Sequence, residues 1–134
     1  MLGIEYPILE ASMGMQPKID LTVAVSEAGG LGVVCHGRKR IFNMDPKDKT
    51  LIDIREVVSR IDKPFGVNTR VAKEERDPKY FGSKVSDVID MILEERKRNE
   101  RVWKNLKAII TSAGQSADFT ERIKKEGLLH IHKV

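Results

Sequence analysis

The sequence lacks several features that would place it in particular classes of protein. It contains one cysteine, Cys35, so an internal disulfide is excluded and a reducing compartment is expected. Its longest uninterrupted run of apolar residues and glycine, Ala28–Cys35, is far shorter than the roughly 20 residues of a membrane-spanning helix. Residues 1–17 show no basic start followed by an apolar run. We therefore expect no membrane association, no secretory signal and a cytoplasmic location.

Charge of one sign is not concentrated along the chain either. Lys and Arg number 24 and Asp and Glu number 20, which gives a formal net charge of +4. Opposite charges are interleaved in Glu94–Arg101, as is typical of a solvated helix face. The purely basic stretch is confined to Arg38–Arg40. We therefore predict that the protein does not bind nucleic acid.

What the sequence does contain is the composition of a globular domain and a regular alternation of elements. Its 134 residues are 40% hydrophobic and 33% charged, which is the size and balance of one domain with a core. Short apolar runs predict strands, and apolar residues at helical spacing between them predict helices. The predicted strands cover residues 7–14, 31–35, 65–68, 108–112 and 128–134. The predicted helices are marked by Ile19–Ala28, Leu51–Ile61, Val85–Ile92 and Phe119–Ile123, and the pattern of the third continues through Val102, Trp103 and Leu106.

Local signals set the limits of the predicted helices and loops. Gly29 and Gly127 are expected to end the first and last helices in a left-handed conformation. Ser83 is the expected N-cap of the third helix. Gly37–Lys49 is polar and is predicted to be a loop. Arg70–Lys84 is a longer, charged loop of the kind that often forms lids or binding segments.

Strands alternating with helices imply parallel pairing through right-handed crossovers, and two architectures fit this pattern. One is the N-terminal part of a TIM-like (β/α)8 barrel, about five strands long, in which neighbours in sequence are neighbours in the sheet. The other is a flavodoxin-like open parallel sheet with the strand order 2-1-3-4-5. Both make residues 1–134 a single domain of five strands and four helices. Periodicity leaves both open, and the strand order distinguishes them.

Stretches at the ends of these strands resemble one known family. Tyr6–Gly14 and Ala24–Val33 are similar to the opening of the nitronate monooxygenase family, the FMN-dependent group once called 2-nitropropane dioxygenases. That group also includes the flavin-type enoyl-acyl-carrier-protein reductases. Lys63–Asn68 resembles the family's third strand and Thr111–Gly114 its fourth, while Glu121–Val134 resembles the next helix and strand. The likeness runs in order from one end of the chain to the other.

The resemblance implies a flavin-binding TIM-like barrel whose strand ends form the cofactor site. In that site an amide such as that of Asn68 offers both a donor and an acceptor to the cofactor. Small residues and glycines let the backbone approach a flat ring. His132 falls where relatives often have a histidine. The FMN-binding residues implied by residue matching are Ala11, Ser12, Met13, Asn68, Ser112, Gly114 and His132.

The sequence departs from the family pattern in ways that affect function. Relatives usually have Gln-Ala-Pro-Met where this chain has Glu10–Met13, so a proline is lost and Glu10 brings negative charge toward an anionic cofactor. The family's phosphate-binding glycines and catalytic histidine lie in the second half of the barrel, and this chain has no counterpart of either. No catalytic residue is therefore assigned, and we expect FMN to be weakly bound or absent.

Histidine and cysteine side chains predict neither a metal site nor a nucleophile. His130 and His132 are two apart on a predicted strand and share one face, but no carboxylate partner is identified, so we predict no metal site. Cys35 and His36 are adjacent and point to opposite faces, which favours a plain buried cysteine. Asn68 also has a structural interpretation, as a turn-forming residue that ends a strand.

The resemblance predicts an FMN-dependent oxidoreductase of the nitronate monooxygenase type that acts on a small molecule. This chain would supply one wall of the flavin site and be incomplete for catalysis. A part-barrel exposes two strand edges and an apolar interior, so we expect a homo-oligomer or association with a missing barrel half. The alternative is a non-catalytic open α/β module for binding or interaction.

Overall fold

The protein is described here by a computed structural model, which describes residues 1–12, 19–36, 43–71, 83–114 and 117–133. Helices and strands alternate through these residues, with one pair of successive helices before the third strand. In chain order the elements are α1 Ile19–Glu27, β1 Gly32–Cys35, α2 Pro46–Arg60, β2 Phe65–Arg70, α3 Val85–Arg98, α4 Glu100–Asn105, β3 Leu106–Ser112, α5 Ala117–Lys125 and β4 Leu129–Lys133.

The four strands form one parallel sheet in the order β1-β2-β3-β4. The N-terminal segment joins its β1 edge at one isolated parallel bridge, between Leu9 and Leu31. There the backbone N–H of Leu31 donates to the carbonyl of Ile8 over 2.8 Å, and that of Glu10 donates to the carbonyl of Leu31 over 2.9 Å. The first predicted strand, residues 7–14, is therefore reduced to a single bridge within its described part.

This order decides between the two predicted architectures. Each strand lies beside the strand that precedes it in the chain, and the N-terminal segment lies beside β1. A flavodoxin-like sheet would instead place its first strand between the second and the third, so that β1 and β2 could not pair. Their pairing from Gly32 opposite Phe65 to Cys35 opposite Asn68 excludes that alternative. The strand order is that of consecutive barrel strands.

The sheet has two faces because side chains alternate along each strand. We call the side packed against the helices the helix face; Val34, Val67 and Ile109 lie on it, in the hydrophobic core. The helices contribute the rest of this core through buried side chains that include Ile54, Val57, Ile89, Ile92, Val102 and Ile123. Burial of these side chains is the main force that holds the helices on the sheet.

The start of α2 corrects the predicted loop Gly37–Lys49. Asp45 is the N-cap, and its carboxylate accepts a hydrogen bond from the backbone N–H of Lys47 over 2.9 Å. Pro46 occupies the first turn, where a missing N–H costs little. Residues 46–49 are therefore helical, and residues 37–42 lie outside the described part of the chain. Asp45 followed by Pro46 is an N-cap signal that the sequence contains, but the polar composition of residues 37–49 led to the prediction of a loop.

The predicted N-cap of the third helix is wrong. Lys84 holds the cap position of α3 without a side-chain hydrogen bond. The Ser83 hydroxyl instead hydrogen-bonds the carboxylate of Asp45, the residue that caps α2. The loop predicted to precede this helix is also shortened at its start, because Arg70 is the last residue of β2; residues 72–82 lie outside the described residues.

Glycines end the first and last helices as predicted. Gly29 has φ +93° and Gly127 has φ +73°, and both follow directly on the last helical turn. Within the described residues, no helix is both long enough and apolar enough to cross a membrane.

Candidate functional site

The sheet face opposite the helices carries the candidate site. A Cβ added to Gly66 would lie 3.0 Å from Ile110 Cδ1 and 3.5 Å from Leu31 Cδ2, so these residues share one face. Asn68 lies on the same face because it is two residues beyond Gly66, and Cys35 lies there as its register partner. We call this side of the sheet the inner face.

Asn68 is the best-placed polar group on the inner face. Its backbone carbonyl accepts a hydrogen bond from the N–H of His36 over 2.9 Å, which extends the β1–β2 ladder to the strand ends. Asn68 is only 5% exposed, and the Oδ1 atom of its side chain has no hydrogen-bond partner within the described structure. A buried unpaired acceptor costs about 1–3 kcal/mol. The amide is therefore held ready to accept a hydrogen bond from a ligand.

Ser12 reaches the same region from the N-terminal segment. Its side chain lies near the thiol of Cys35, the register partner of Asn68, and hydrogen bonding from Ser12 lowers the pKa of that thiol. The thiol itself donates to the carbonyl of His36 over 3.8 Å. Burial raises the pKa of the Cys35 thiol, and the nearby carboxylate of Glu10 raises it further. The thiol is therefore neutral near pH 7. Cys35 adds no charge to the part of the inner face between Ser12 and Asn68.

Ser112 is the last residue of β3, and Gly114 lies two residues beyond it, at the outer rim of the inner face. Ser112 is the register partner of Arg70, and its carbonyl accepts a hydrogen bond from the N–H of Val71 over 2.8 Å. Gly114 has φ +117°, and a Cβ there would lie 2.5 Å from the carbonyl oxygen of Val71. Only glycine fits this tight turn, so the backbone lies close to the rim without a side chain in the way.

His132 lies on the other side of the sheet. Its Nδ1 atom is 2.9 Å from Thr111 Oγ1, and the two residues are register partners. Thr111 Oγ1 is also 2.8 Å from His130 Nε2, and His130 Nδ1 is 2.8 Å from Thr120 Oγ1 of α5. These contacts place both histidines on the helix face. The structure thus separates His132 from Asn68 and Ser112 by the thickness of the sheet.

The other two implied residues belong to the N-terminal segment. Ala11 is exposed beside Ser12, next to the inner face, and Met13 lies outside the described residues. The structure therefore brings Ser12, Asn68, Ser112 and Gly114 to one end of the sheet on one side. Among the described residues it groups no three metal-ligating side chains of the His, Cys, Asp and Glu types.

Sequence reasoning missed three residues of this region, namely Cys35, Arg70 and Lys133. Arg70 is two residues beyond Asn68, and Lys133 is the register partner of Ser112, so both belong to the rim. The alternation of side chains along β2 was a sufficient signal for Arg70. The position of Lys133 depends on the register of β3 with β4, which the sequence does not show.

These features define a class of protein, a parallel βα-barrel unit with polar groups at its strand ends. A sequence model of the family described as nitronate monooxygenase matches residues 1–134. The chain belongs to the nitronate monooxygenase family, a family of oxidoreductases, and the predicted membership is confirmed.

Individual relatives agree with this assignment. A probable nitronate monooxygenase of Staphylococcus aureus is 32% identical over 88 residues, which are 66% of this chain and 22% of the relative. The structure of FabK from Thermotoga maritima has a TM-score of 0.71 and 28% identity, over 99% of this chain and 35% of that one. A nitroalkane oxidase structure from Streptomyces ansochromogenes has a TM-score of 0.70 at 20% identity, over 98% of this chain and 41% of that one, and shows the fold alone.

These structural neighbours are TIM-barrel enzymes, so the predicted barrel fold is confirmed for the part that this chain covers. The chain spans about a fifth of the length of the S. aureus relative, at 22%, and 35% of FabK.

Proposed function

We propose that the inner face is one wall of an FMN site and that the protein serves FMN-dependent oxidation of the nitronate monooxygenase type, on a small-molecule substrate. The observation that carries this proposal is the buried Oδ1 atom of Asn68 at the C-terminal end of β2, which has no partner among the described residues. Ligands of parallel βα-barrels bind at this end of the strands.

The residues present fit a flavin. A flavin ring has an N–H donor beside carbonyl acceptors, and the Asn68 amide offers the complementary pair of groups. Gly114 leaves the rim free of a side chain where a flat ring would need close approach to the backbone. When bound, FMN supplies the acceptance and onward transfer of an electron pair or hydride.

The chain's own residues would bind and orient this group. Asn68 would fix the edge of the ring, since its backbone is held by His36 and its side chain has little room to move. Ser12 would lie beside the ring, close to the Cys35 thiol. Glu10, the charge predicted to oppose the cofactor, has its carboxylate bonded to the backbone N–H of Val33 over 2.7 Å.

We propose further that this wall is incomplete for catalysis. The matched parts of the relatives are 22% to 41% of their length. The phosphate-binding and proton-transferring groups of the complete site would then come from residues outside this segment. On this proposal the 134-residue chain binds FMN weakly and does not turn over substrate.

The free edge of β4 supports association as part of the same proposal. Within the described residues β4 pairs on one side alone, and Leu129 and Ile131 on the inner face remain half-buried. An unpaired parallel edge and an apolar face favour a covering strand, from a second copy or from the rest of the barrel. Sedimentation velocity at micromolar concentration should show association; a clean monomer would count against this part.

A titration with FMN tests the proposed function. Quenching of flavin fluorescence should reveal saturable binding, and Asn68→Ala should weaken it by about tenfold, the usual value of one buried hydrogen bond to a ligand. Thr69→Val is the matched control, since Thr69 is the next residue and faces the helices. If the parent chain does not bind FMN, the alternative of a non-catalytic binding or interaction module is favoured. If the parent and Asn68→Ala bind FMN with equal affinity, Asn68 is not part of the site.

A further inference from the structure

The rim of the inner face carries two cations and a hydroxyl in one row. Arg70, Ser112 and Lys133 are successive register partners across β2, β3 and β4. Neighbouring parallel strands lie about 4.8 Å apart, so the three Cα atoms span roughly 10 Å. The row lies two residues beyond Asn68, Ile110 and Ile131 along the respective strands, on the same face. Long basic side chains at both ends can therefore converge on one group above Ser112.

Among the described residues, no carboxylate neutralises the two cations of this row. Within the part of the chain that the structure describes, neither Arg70 nor Lys133 has an ion-pair partner, and the Nε atom of Arg70 is buried without a hydrogen-bond acceptor. By contrast, the guanidinium of Arg55 binds Glu95 through two hydrogen bonds of 2.9 Å. A buried charged donor without an acceptor is costly, and an external anion would relieve that cost.

We propose that Arg70, Ser112 and Lys133 form an oxyanion site at the rim of the inner face, which takes a carboxylate or phosphate group. The guanidinium would bind two oxygens at once, the ammonium would act as a point charge, and the hydroxyl would donate a third hydrogen bond. This inference rests on the proposed function for its meaning, because the bound group would then belong to an anionic substrate.

Binding of simple oxyanions tests the row directly. Inorganic phosphate and acetate are titrated into the 15N-labelled chain at constant ionic strength, and amide shifts give the affinity. Saturable shifts are expected at residues 70, 112 and 133, with about tenfold weaker binding in Arg70→Gln and in Lys133→Gln. Lys125→Gln is the control, since Lys125 is an exposed cation at the end of α5. Arg70→Lys keeps the charge and should lose less than Arg70→Gln.

Two results would overturn the inference: no saturable binding of either anion, or equal affinity in all variants. FMN and riboflavin then test the source of the group. Binding of both flavins should be unchanged in Arg70→Gln, and weaker binding of FMN alone would overturn the assignment of the row to an anionic substrate. If the parent binds phosphate through this row but neither flavin, the proposed function fails and the oxyanion site stands.

Discussion

The carboxylate of Glu10 accepts a hydrogen bond from the backbone N–H of Val33 over 2.7 Å. The backbone ladder between the N-terminal segment and the sheet ends two residues before Val33, where the N–H of Glu10 donates to the carbonyl of Leu31. The side chain thus supplies the acceptor that a longer first strand would have supplied from its backbone. Burial raises the pKa of this carboxyl, an effect opposed by its hydrogen bonds to Val33 and Thr22.

Removal of this acceptor should destabilise the fold. In Glu10→Ala the N–H of Val33, a residue that is 2% exposed, loses its partner, and a free energy of unfolding lower by about 1–3 kcal/mol is expected. Urea unfolding measures the change. Glu27→Ala, at the exposed end of α1, serves as the control and should stay within about 0.5 kcal/mol of the parent. Equal stability of the two variants would show that the Glu10 bond contributes nothing.

Two buried threonines that are register partners should respond oppositely to loss of the hydroxyl. Thr111 Oγ1 contacts both His130 and His132, whereas Thr69 Oγ1 has no partner in the described structure. Thr111→Val should lower the free energy of unfolding by about 1–2 kcal/mol, and Thr69→Val should be neutral or stabilising, because it removes an unpaired polar atom. Chemical denaturation of both variants is the measurement. A larger loss in Thr69→Val would contradict the described hydrogen bonding.

Alanine substitutions at Gly32 and Gly127 distinguish the cost of steric exclusion from the cost of backbone strain. A Cβ at Gly32 would lie 2.1 Å from the carbonyl oxygen of Thr22, so Gly32→Ala must displace α1 from β1. Gly127 has φ +73° with nothing within 4 Å of an added Cβ, so Gly127→Ala meets strain alone. We expect losses of about 3 kcal/mol or more at Gly32 and about 1 kcal/mol at Gly127. Thermal or urea unfolding shows which variant loses more stability. A larger loss in Gly127→Ala than in Gly32→Ala would contradict the close packing of α1 on β1.

His36 should make the protein less stable in mild acid. Burial lowers its pKa to about 4, against the opposing influence of Asp45. Between pH 6.5 and pH 4 the unfolded chain therefore binds a proton that the folded chain does not, so stability falls as the pH falls through this window. Between pH 7 and pH 5 the free energy of unfolding should fall by about 2 kcal/mol less in His36→Gln than in the parent. The ring signals of His36 in NMR give the midpoint directly, and a midpoint near 6.5 would contradict the burial.

The sequence was sufficient for most of the fold because its signals were local. Apolar spacing located α1 and the glycines at 29 and 127 located helix ends, since these effects act within one or two turns. The strand order was predicted by the family resemblance and not by the periodicity of apolar residues. The break between α3 and α4 was missed because it depends on Asn99, whose side chain accepts from the N–H of Arg101 over 3.1 Å.

The candidate site was predictable only in part, for a geometric reason. Asn68 and Ser112 were assigned by matching residues to strand ends, and the register places both on one face. His132 was assigned in the same way, but its pairing with Thr111 turns it to the helix face. Residue matching identifies the end of a strand, whereas the face depends on a register that shifts near Gly66 and is invisible in the sequence.

The most direct test of the central claim is an NMR map of the amide shifts that FMN induces in the labelled chain. Our account predicts that the perturbed amides cluster at the C-terminal strand ends, around Ser12, Cys35, Asn68 and Ser112, and leave the outer surfaces of α2 and α3 unchanged. Perturbations centred on the helices, or none at millimolar FMN, would contradict the assignment of the inner face as a flavin wall.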